Sequence, residues 1–118
     1  MENVIRFVVH VAWTTDGDKA YSVTGLDENY KAVAMDSVYV GPASQKELLR
    51  QWLRDVSGRL EEGQTGVVFT NHMTARTSRN HVSDFHRVHV SYSKDHGRTY
   101  RAGLQTAIAV AKREIDEK

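Results

Sequence analysis

Five of the six histidines lie between residues 72 and 101, and their ring nitrogens are candidates for metal ligation. Neutral imidazole is a common ligand of zinc, usually within a set of three or four side chains at a regular spacing. No HExxH spacing occurs, and in a strand His86 and His89 would point to opposite faces. The histidines therefore predict no zinc site. The five histidines are His72, His81, His86, His89 and His96.

The same part of the chain is also its most basic part. It holds six Lys or Arg and only two acidic residues, whereas the whole chain has a formal net charge of +1. This excess of cations allows two interpretations, a solvated surface or a surface that faces phosphate groups. The cations that would contact phosphates are Arg76, Arg79, Arg87, Lys94, Arg98 and Arg101.

Other signatures of a functional site are absent from the sequence. There is no G-x-x-x-x-G-K phosphate loop, no G-x-G-x-x-G fingerprint and no G-x-S-x-G nucleophile elbow. The chain has no cysteine, which excludes disulfides and thiolate chemistry. The longest apolar run near the amino end, from Val4 to Trp13, is too short for a membrane span. We expect a cytoplasmic protein without membrane partners.

The composition is typical of one globular domain. The chain has 118 residues, of which 40% are hydrophobic and 26% are charged. A chain of this length buries roughly two-thirds of its unfolded surface, which is enough for a core without disulfides. We therefore expect residues 1–118 to form a single domain.

Alternating apolar residues predict five strands. Val4 to Trp13 is apolar on both faces, as in a strand inside a covered sheet. An Asp-Gly hairpin turn follows it, and the segments Ala20 to Thr24 and Tyr30 to Val40 complete an antiparallel meander. Gly66 to Thr70 follows a helix, which favours a parallel neighbour. Phe85 to Tyr92 has one apolar and one polar face and is expected at an edge of the sheet.

Two segments have the 3.6-residue periodicity of helices. The first begins with the spacing Ser44-x-x-Glu47, which is typical of a capping box, and is expected to end at Gly58 or Gly63. The second follows Lys94-Asp95-His96-Gly97 near the end of the chain. The apolar stripes are Leu49, Trp52, Leu53, Val56 and Leu60 in the first helix, and Leu104, Ala107, Ile108, Ala111 and Ile115 in the second.

This order of elements resembles the ribonuclease H fold. Proteins of that family have three antiparallel strands, a helix, a strand beside the first one, and further strand and helix units. A helix usually separates their fourth and fifth strands, but here only about a dozen residues are available, so we expect it to be missing or reduced. The resemblance implies an α/β (α+β) protein with a single five-stranded mixed sheet, in the order βββαβ(α)βα, and helices packed on the sheet.

Ribonucleases H hydrolyse RNA paired to DNA with two divalent cations. Such cations lie about 4 Å apart and need several ionised carboxylates to hold them. The segment Thr15-Asp16-Gly17-Asp18 is similar to the family's first motif, Thr-Asp-Gly-Ser, and Glu47 is similar to its helix glutamate. Each residue also has a simpler interpretation, because Asp16 fits a tight turn and Glu47 fits the capping box.

At two further positions, the resemblance implies that a carboxylate is missing. Thr70-Asn71-His72 corresponds to the family's Thr-Asp-Ser, and asparagine keeps the carbonyl oxygen but loses the charge. Gly103 stands where the last carboxylate is expected, after a segment around His96 that is similar to the family's Lys-Gly-His turn. The implied catalytic positions, in a degenerate form, are Asp16, Glu47, Asn71 and His96.

Three functional hypotheses follow. The first is a ribonuclease H-like domain that has lost two-metal hydrolysis, needs no cofactor, and binds nucleic acid or a nucleic-acid-handling protein. The second is an active nuclease that cleaves RNA or RNA/DNA hybrid with Mg²⁺ or Mn²⁺. The third is a protein-only inhibitor or adaptor that uses the edge strand Phe85 to Tyr92. The sequence leaves the oligomeric state open. The carboxylates available to a nuclease are Asp16, Asp18, Asp36, Glu47 and Asp95.

Overall fold

The alternating segments form one five-stranded mixed sheet in the computed structural model, in the spatial order β3-β2-β1-β4-β5. β1 pairs antiparallel with β2 and parallel with β4, β2 pairs antiparallel with β3, and β4 pairs parallel with β5. The structure describes residues 3–96 and 101–117, without the side chains of residues 101–108. The strands are β1 (Val4–Trp13), β2 (Asp18–Leu26), β3 (Ala32–Pro42), β4 (Thr65–Thr70) and β5 (Val88–Tyr92).

The predicted order of strands is confirmed, with shifts at their ends. The segment Gly41-Pro42, which was expected to end the meander, lies inside β3, because a bulge between Lys19 and Ala20 lets Gly41 pair with Lys19. β5 begins only at Val88, so His86 precedes the strand. Only His89 therefore lies in β5, and the expectation that His86 and His89 occupy opposite faces of one strand is wrong.

Four helices accompany the sheet in the described residues, and no helix there is long and apolar enough to cross a membrane. The reduced helix expected between β4 and β5 is present as two short helices of five residues each. The first long helix ends at Gly58, one of the two predicted ends. The helices are α1 (Gln45–Gly58), α2 (Met73–Thr77), α3 (Arg79–Ser83) and α4 (Arg101–Asp116).

The capping box at the start of α1 is confirmed. The Ser44 hydroxyl accepts the backbone N–H of Glu47 at 3.1 Å, and the Glu47 carboxylate accepts the backbone N–H of Ser44 at 3.2 Å. Both bonds satisfy amides that have no acceptor within the helix. The capping box therefore fixes where α1 begins, and with it which residues of the apolar stripe face the sheet.

The two faces of the sheet pack in different ways. On one face, α1 inserts the fully buried Trp52 among large apolar side chains of β1, β2 and β4. On the other face, the contact between the sheet and α4 includes small side chains, with Ala12 and Ala20 against Ala111 and Ile115. Because successive residues of β1 alternate between these faces, Val11 packs on the side of α1 and Ala12 on the side of α4.

We predict that Ser44→Ala lowers the free energy of unfolding by about 1 kcal/mol, because one helix amide loses its acceptor. Glu47→Gln is the matched control, since glutamine keeps an oxygen that accepts the Ser44 amide. Urea unfolding followed by circular dichroism measures both values. Equal losses for the two variants would contradict the reciprocal capping geometry.

Candidate functional site

The candidate site lies at the carboxyl ends of β1 and β4. Val9 pairs with Thr70 in the parallel register, and the Thr70 hydroxyl donates to the Val9 carbonyl at 2.8 Å. The next residues along the two strands are His10 and Asn71. The Asn71 amide Nδ2 lies 2.9 Å from His10 Nδ1, so the two side chains are hydrogen-bonded across the strand ends.

His10 is a neutral imidazole in this environment. Its ring is largely buried, and burial followed by the positive charge of Lys112 lowers the pKa of His10 to about 4. Because the Asn71 amide donates to Nδ1, the ring proton is assigned to Nε2. At neutral pH this position therefore offers an uncharged N–H donor.

A second buried histidine lies one residue beyond Asn71. The indole N–H of Trp52 donates to His72 Nδ1 at 3.0 Å, and His72 Nε2 donates to the Gln45 side-chain oxygen at 2.8 Å. Burial lowers the pKa of His72 to about 4. Both ring nitrogens have partners, so His72 anchors the end of β4 to α1.

The side chains at this edge do not fit a pair of Mg²⁺ or Mn²⁺ ions. Such cations need several anionic oxygen ligands, whereas His10 is neutral and Lys112 adds positive charge. Asn71 contributes one carbonyl oxygen, Oδ1, which is buried without a hydrogen-bond partner. Among the side chains that the structure describes, no three His, Cys, Asp or Glu lie close enough together to hold a metal ion.

The two carboxylates that the resemblance implies have local surroundings of their own. Asp16 is exposed in the β1–β2 turn, which is closed by hydrogen bonds between the backbones of Thr14, Gly17 and Asp18. Glu47 is exposed and engaged with Ser44. No described contact joins Asp16 or Glu47 to Asn71, although the start of α1 reaches the end of β4 through the hydrogen bond between Gln45 and His72.

His96 lies beyond β5, with its ring against Phe69 at a centroid distance of 5.4 Å and its Nε2 3.3 Å from the Ser91 hydroxyl. Burial lowers the pKa of His96, with opposing contributions from Ser91 and Asp95.

The residue of α4 whose charge acts on His10 is Lys112. Gly103 lies about 13 Å earlier along the helix axis, at 1.5 Å per residue.

Sequence reasoning missed His10 and Lys112. The sequence did contain a signal for His10. It is a polar residue within an apolar strand, and this strand was expected to pair in parallel with the strand that ends before Asn71. For Lys112 the sequence contains no comparable signal, since its position depends on how α4 docks on the sheet.

A groove of about 1000 Å³ runs beside β5, between this strand and the short helices α2 and α3. Arg76, Arg79 and Lys94 line the groove and are exposed, and none of them forms an ion pair with a described residue. His86 and His89 also line it. Three of the six cations predicted to contact phosphates are therefore gathered along one groove.

The other predicted cations have different surroundings. The Arg87 guanidinium donates through Nε to the Gln64 carbonyl at 3.1 Å and through a terminal nitrogen to the Glu61 carbonyl at 2.5 Å. Arg87 therefore ties the start of β5 to the loop before β4. Arg98 and the side chain of Arg101 lie outside the described residues.

The strand order and helix placement define a ribonuclease H-like fold. The structure is similar to ribonuclease H1 from the halophilic archaeon Halobacterium salinarum NRC-1, with a TM-score of 0.64, 13% identity, and coverage of 98% of this chain and 99% of that one. It is also similar to LC11-RNase H1, isolated from compost by a metagenomic approach and solved in complex with RNA/DNA hybrid, with a TM-score of 0.61, 15% identity, and coverage of 96% and 97%.

A third similar structure is the RNase H domain of PFV, with a TM-score of 0.56, 10% identity, and coverage of 92% of this chain and 90% of that one. No family model matches the sequence, and no curated protein is similar to it in sequence. At these identities the likeness establishes the fold alone.

We predict that stability falls as the pH drops from about 6.5 to about 4. In this range the unfolded chain binds protons at His10 and His72, whereas the folded chain does not, because both folded pKa values are lowered to about 4. Each histidine contributes a slope of at most about 1.4 kcal/mol per pH unit. Above pH 6.5 the two rings are neutral in both the folded and the unfolded chain, so their full contribution to the free energy of unfolding is present.

Urea unfolding of the wild type, His10→Asn and His72→Asn at several pH values measures this effect. Each variant should lose part of the slope between pH 4 and 6.5, whatever its stability at pH 7. An unchanged slope in both variants would show that these rings do not carry the pH dependence.

Proposed function

We propose that this chain is a ribonuclease H-like module that binds nucleic acid without hydrolysing it. The observation that carries the proposal is the groove beside β5, where Arg76, Arg79 and Lys94 are exposed without ion-pair partners among the described residues. Unpaired cations along a groove attract the phosphate backbone and release its counterions on binding. We expect binding of this kind to depend weakly on base sequence.

Loss of hydrolysis follows from the charges at the carboxyl ends of β1 and β4. Two-metal hydrolysis requires anionic side chains that neutralise four positive charges. This edge instead presents a neutral His10, the uncharged Asn71 and the nearby cation Lys112. Asp116 is the one carboxylate among the described residues that line the pocket beside His10. A divalent cation placed here would be repelled by Lys112 and would find too few oxygen ligands.

The fold comparison supports a nucleic-acid ligand. LC11-RNase H1 was solved in complex with RNA/DNA hybrid. A scaffold with the same strand order can therefore present a surface to a paired nucleic acid. We propose a paired nucleic acid as the ligand of this chain as well, held by its phosphates in the groove.

The nuclease alternative has less support from the positions of the acidic residues. The Asp36 carboxylate pairs with Arg59 at 2.6 Å, and the Asp18 carboxylate accepts the Tyr39 hydroxyl at 3.2 Å. Glu47 is engaged in the capping box of α1. These carboxylates therefore already have partners, and no group of three is found among the described side chains.

We predict that the triple variant Arg76→Ala, Arg79→Ala, Lys94→Ala weakens binding to an RNA/DNA hybrid and reduces its salt dependence. Each lost phosphate contact lowers the slope of log K against log salt by about 0.9, so the slope should fall by about 2 to 3. Fluorescence anisotropy with labelled hybrid, duplex and single strands at several salt concentrations measures this effect.

The matched control removes the same number of charges from exposed positions outside the groove, Lys31→Ala, Lys46→Ala and Arg54→Ala. It should retain most of the affinity. If the two triple variants lose affinity equally, binding depends on overall charge and the groove is not the interface. If the wild type binds no nucleic acid at low salt, the proposal is wrong, and capture of a protein partner by the β5 edge becomes the hypothesis to pursue.

A further inference from the structure

The groove beside β5 combines a charged surface with an apolar one. Its three cations, Arg76, Arg79 and Lys94, are exposed, and Asp95 is the one carboxylate among its described lining residues. Apolar and aromatic side chains that are partly exposed to solvent also line it. These side chains are Met73, Val82, Phe85, Val90 and Tyr92.

Tyr92 differs from its apolar neighbours in the groove. Val82, Phe85 and Val90 pack against the core that α1 forms with the sheet, whereas Tyr92 is not part of this core. In the described part of the chain, the Tyr92 side chain forms no hydrogen bond and no ring contact. The partly exposed ring therefore has a surface that the packing of the fold does not use.

The ring of Tyr92 and the short helix α2 lie on the same face of the sheet. Alternate residues of a strand share a face, so Tyr92 points to the same side as Val90, which packs against the core beneath α1. Ala75 of α2 belongs to this core as well. Tyr92 pairs with Thr70, three residues before α2 begins, so its ring lies at the end of the groove that α2 borders.

We propose that this groove holds an unpaired stretch of nucleic acid, with its phosphates at Arg76, Arg79 and Lys94 and one base against the ring of Tyr92. The ligand is then a paired nucleic acid that continues into a single-stranded extension. This inference deepens the proposed function and rests on it, since it specifies which part of the nucleic acid the same groove recognises.

A fully paired nucleic acid would leave the apolar part of the groove without a ligand. Its bases stack on one another inside the duplex, and its phosphates would meet the cations alone. An unpaired strand presents phosphates together with the flat faces of its bases. A basic groove with aromatic side chains is typical of proteins that bind single strands.

The dimensions of the groove suit a short strand. β5 has five residues and spans roughly 16 Å, which gives room for roughly four stacked nucleotides at about 3.4 Å each. Met73 is 60% exposed at the same end as Tyr92, and its flexible thioether adapts to flat rings of different size. Because every base has such a face, we expect the extension to be held with little preference for its sequence.

The test measures fluorescence anisotropy with RNA/DNA hybrids of equal paired length, one blunt and others with about four unpaired nucleotides at either end. The readout is the ratio of the affinities for an extended and the blunt hybrid. We expect the wild type to bind at least one extended hybrid about tenfold more tightly than the blunt one. Tyr92→Leu should lose most of this gain, whereas Tyr92→Phe keeps the ring and should keep the gain.

Met73→Ala changes an exposed side chain and provides a second variant, for which we expect the gain to fall about threefold. The matched control is Tyr39→Leu, which removes a partly exposed tyrosine of β3 outside the groove and should keep the gain. Circular dichroism checks that each variant is folded.

The inference is overturned if the extension adds nothing to the affinity of the wild type, or if neither Tyr92→Leu nor Met73→Ala reduces the gain. It is also overturned if Tyr92→Phe loses as much of the gain as Tyr92→Leu. Each of these results leaves the proposed function standing as long as the triple variant of the groove cations weakens binding more than its control does. Equal losses in those two triple variants would remove the proposed function itself.

Discussion

The parallel pairing of β1 with β4 determines which side chains meet at the centre of this molecule. Parallel strands present their carboxyl ends at the same edge, and the register of Val9 with Thr70 makes His10 and Asn71 neighbours. The Thr70 hydroxyl strengthens this register through its bond to the Val9 carbonyl. The chemistry of the edge therefore follows from two residues that are 61 positions apart in the sequence.

Burial keeps the two histidines at this edge uncharged at neutral pH. His10 and His72 lie on opposite faces of the sheet, and burial is the main reason that the pKa of each is lowered to about 4. His72 is held by Trp52 and Gln45 of α1, whereas His10 is held by Asn71 and lies near Lys112 of α4. The cluster around His72 therefore joins the end of β4 to α1, and the cluster around His10 lies on the side of α4.

The elements were predictable because their signals are local. The Ser44 capping box, the α1 stripe and the alternation of β1 each report on a few neighbouring residues, and the structure confirms them. The site was harder to predict, since it depends on register and on helix docking. Asp16 matches a family motif by its neighbours in sequence, yet it lies in a turn, while His10 matches no motif and lies beside Asn71. Arg87 shows the same limit, because its bonds to two backbone carbonyls depend on how β5 packs beside the loop before β4, which its charge does not reveal.

The central claim is that the carboxyl edge of β1 and β4 is electrostatically unsuited to a pair of divalent cations. Titration calorimetry with Mn²⁺ tests it most directly, with the wild type compared to the double variant His10→Asp, Asn71→Asp. The account predicts no saturable binding of Mn²⁺ by the wild type and measurable binding once two carboxylates face each other at these positions. Tight binding of two Mn²⁺ ions by the wild type, accompanied by cleavage of an RNA/DNA hybrid, would contradict it.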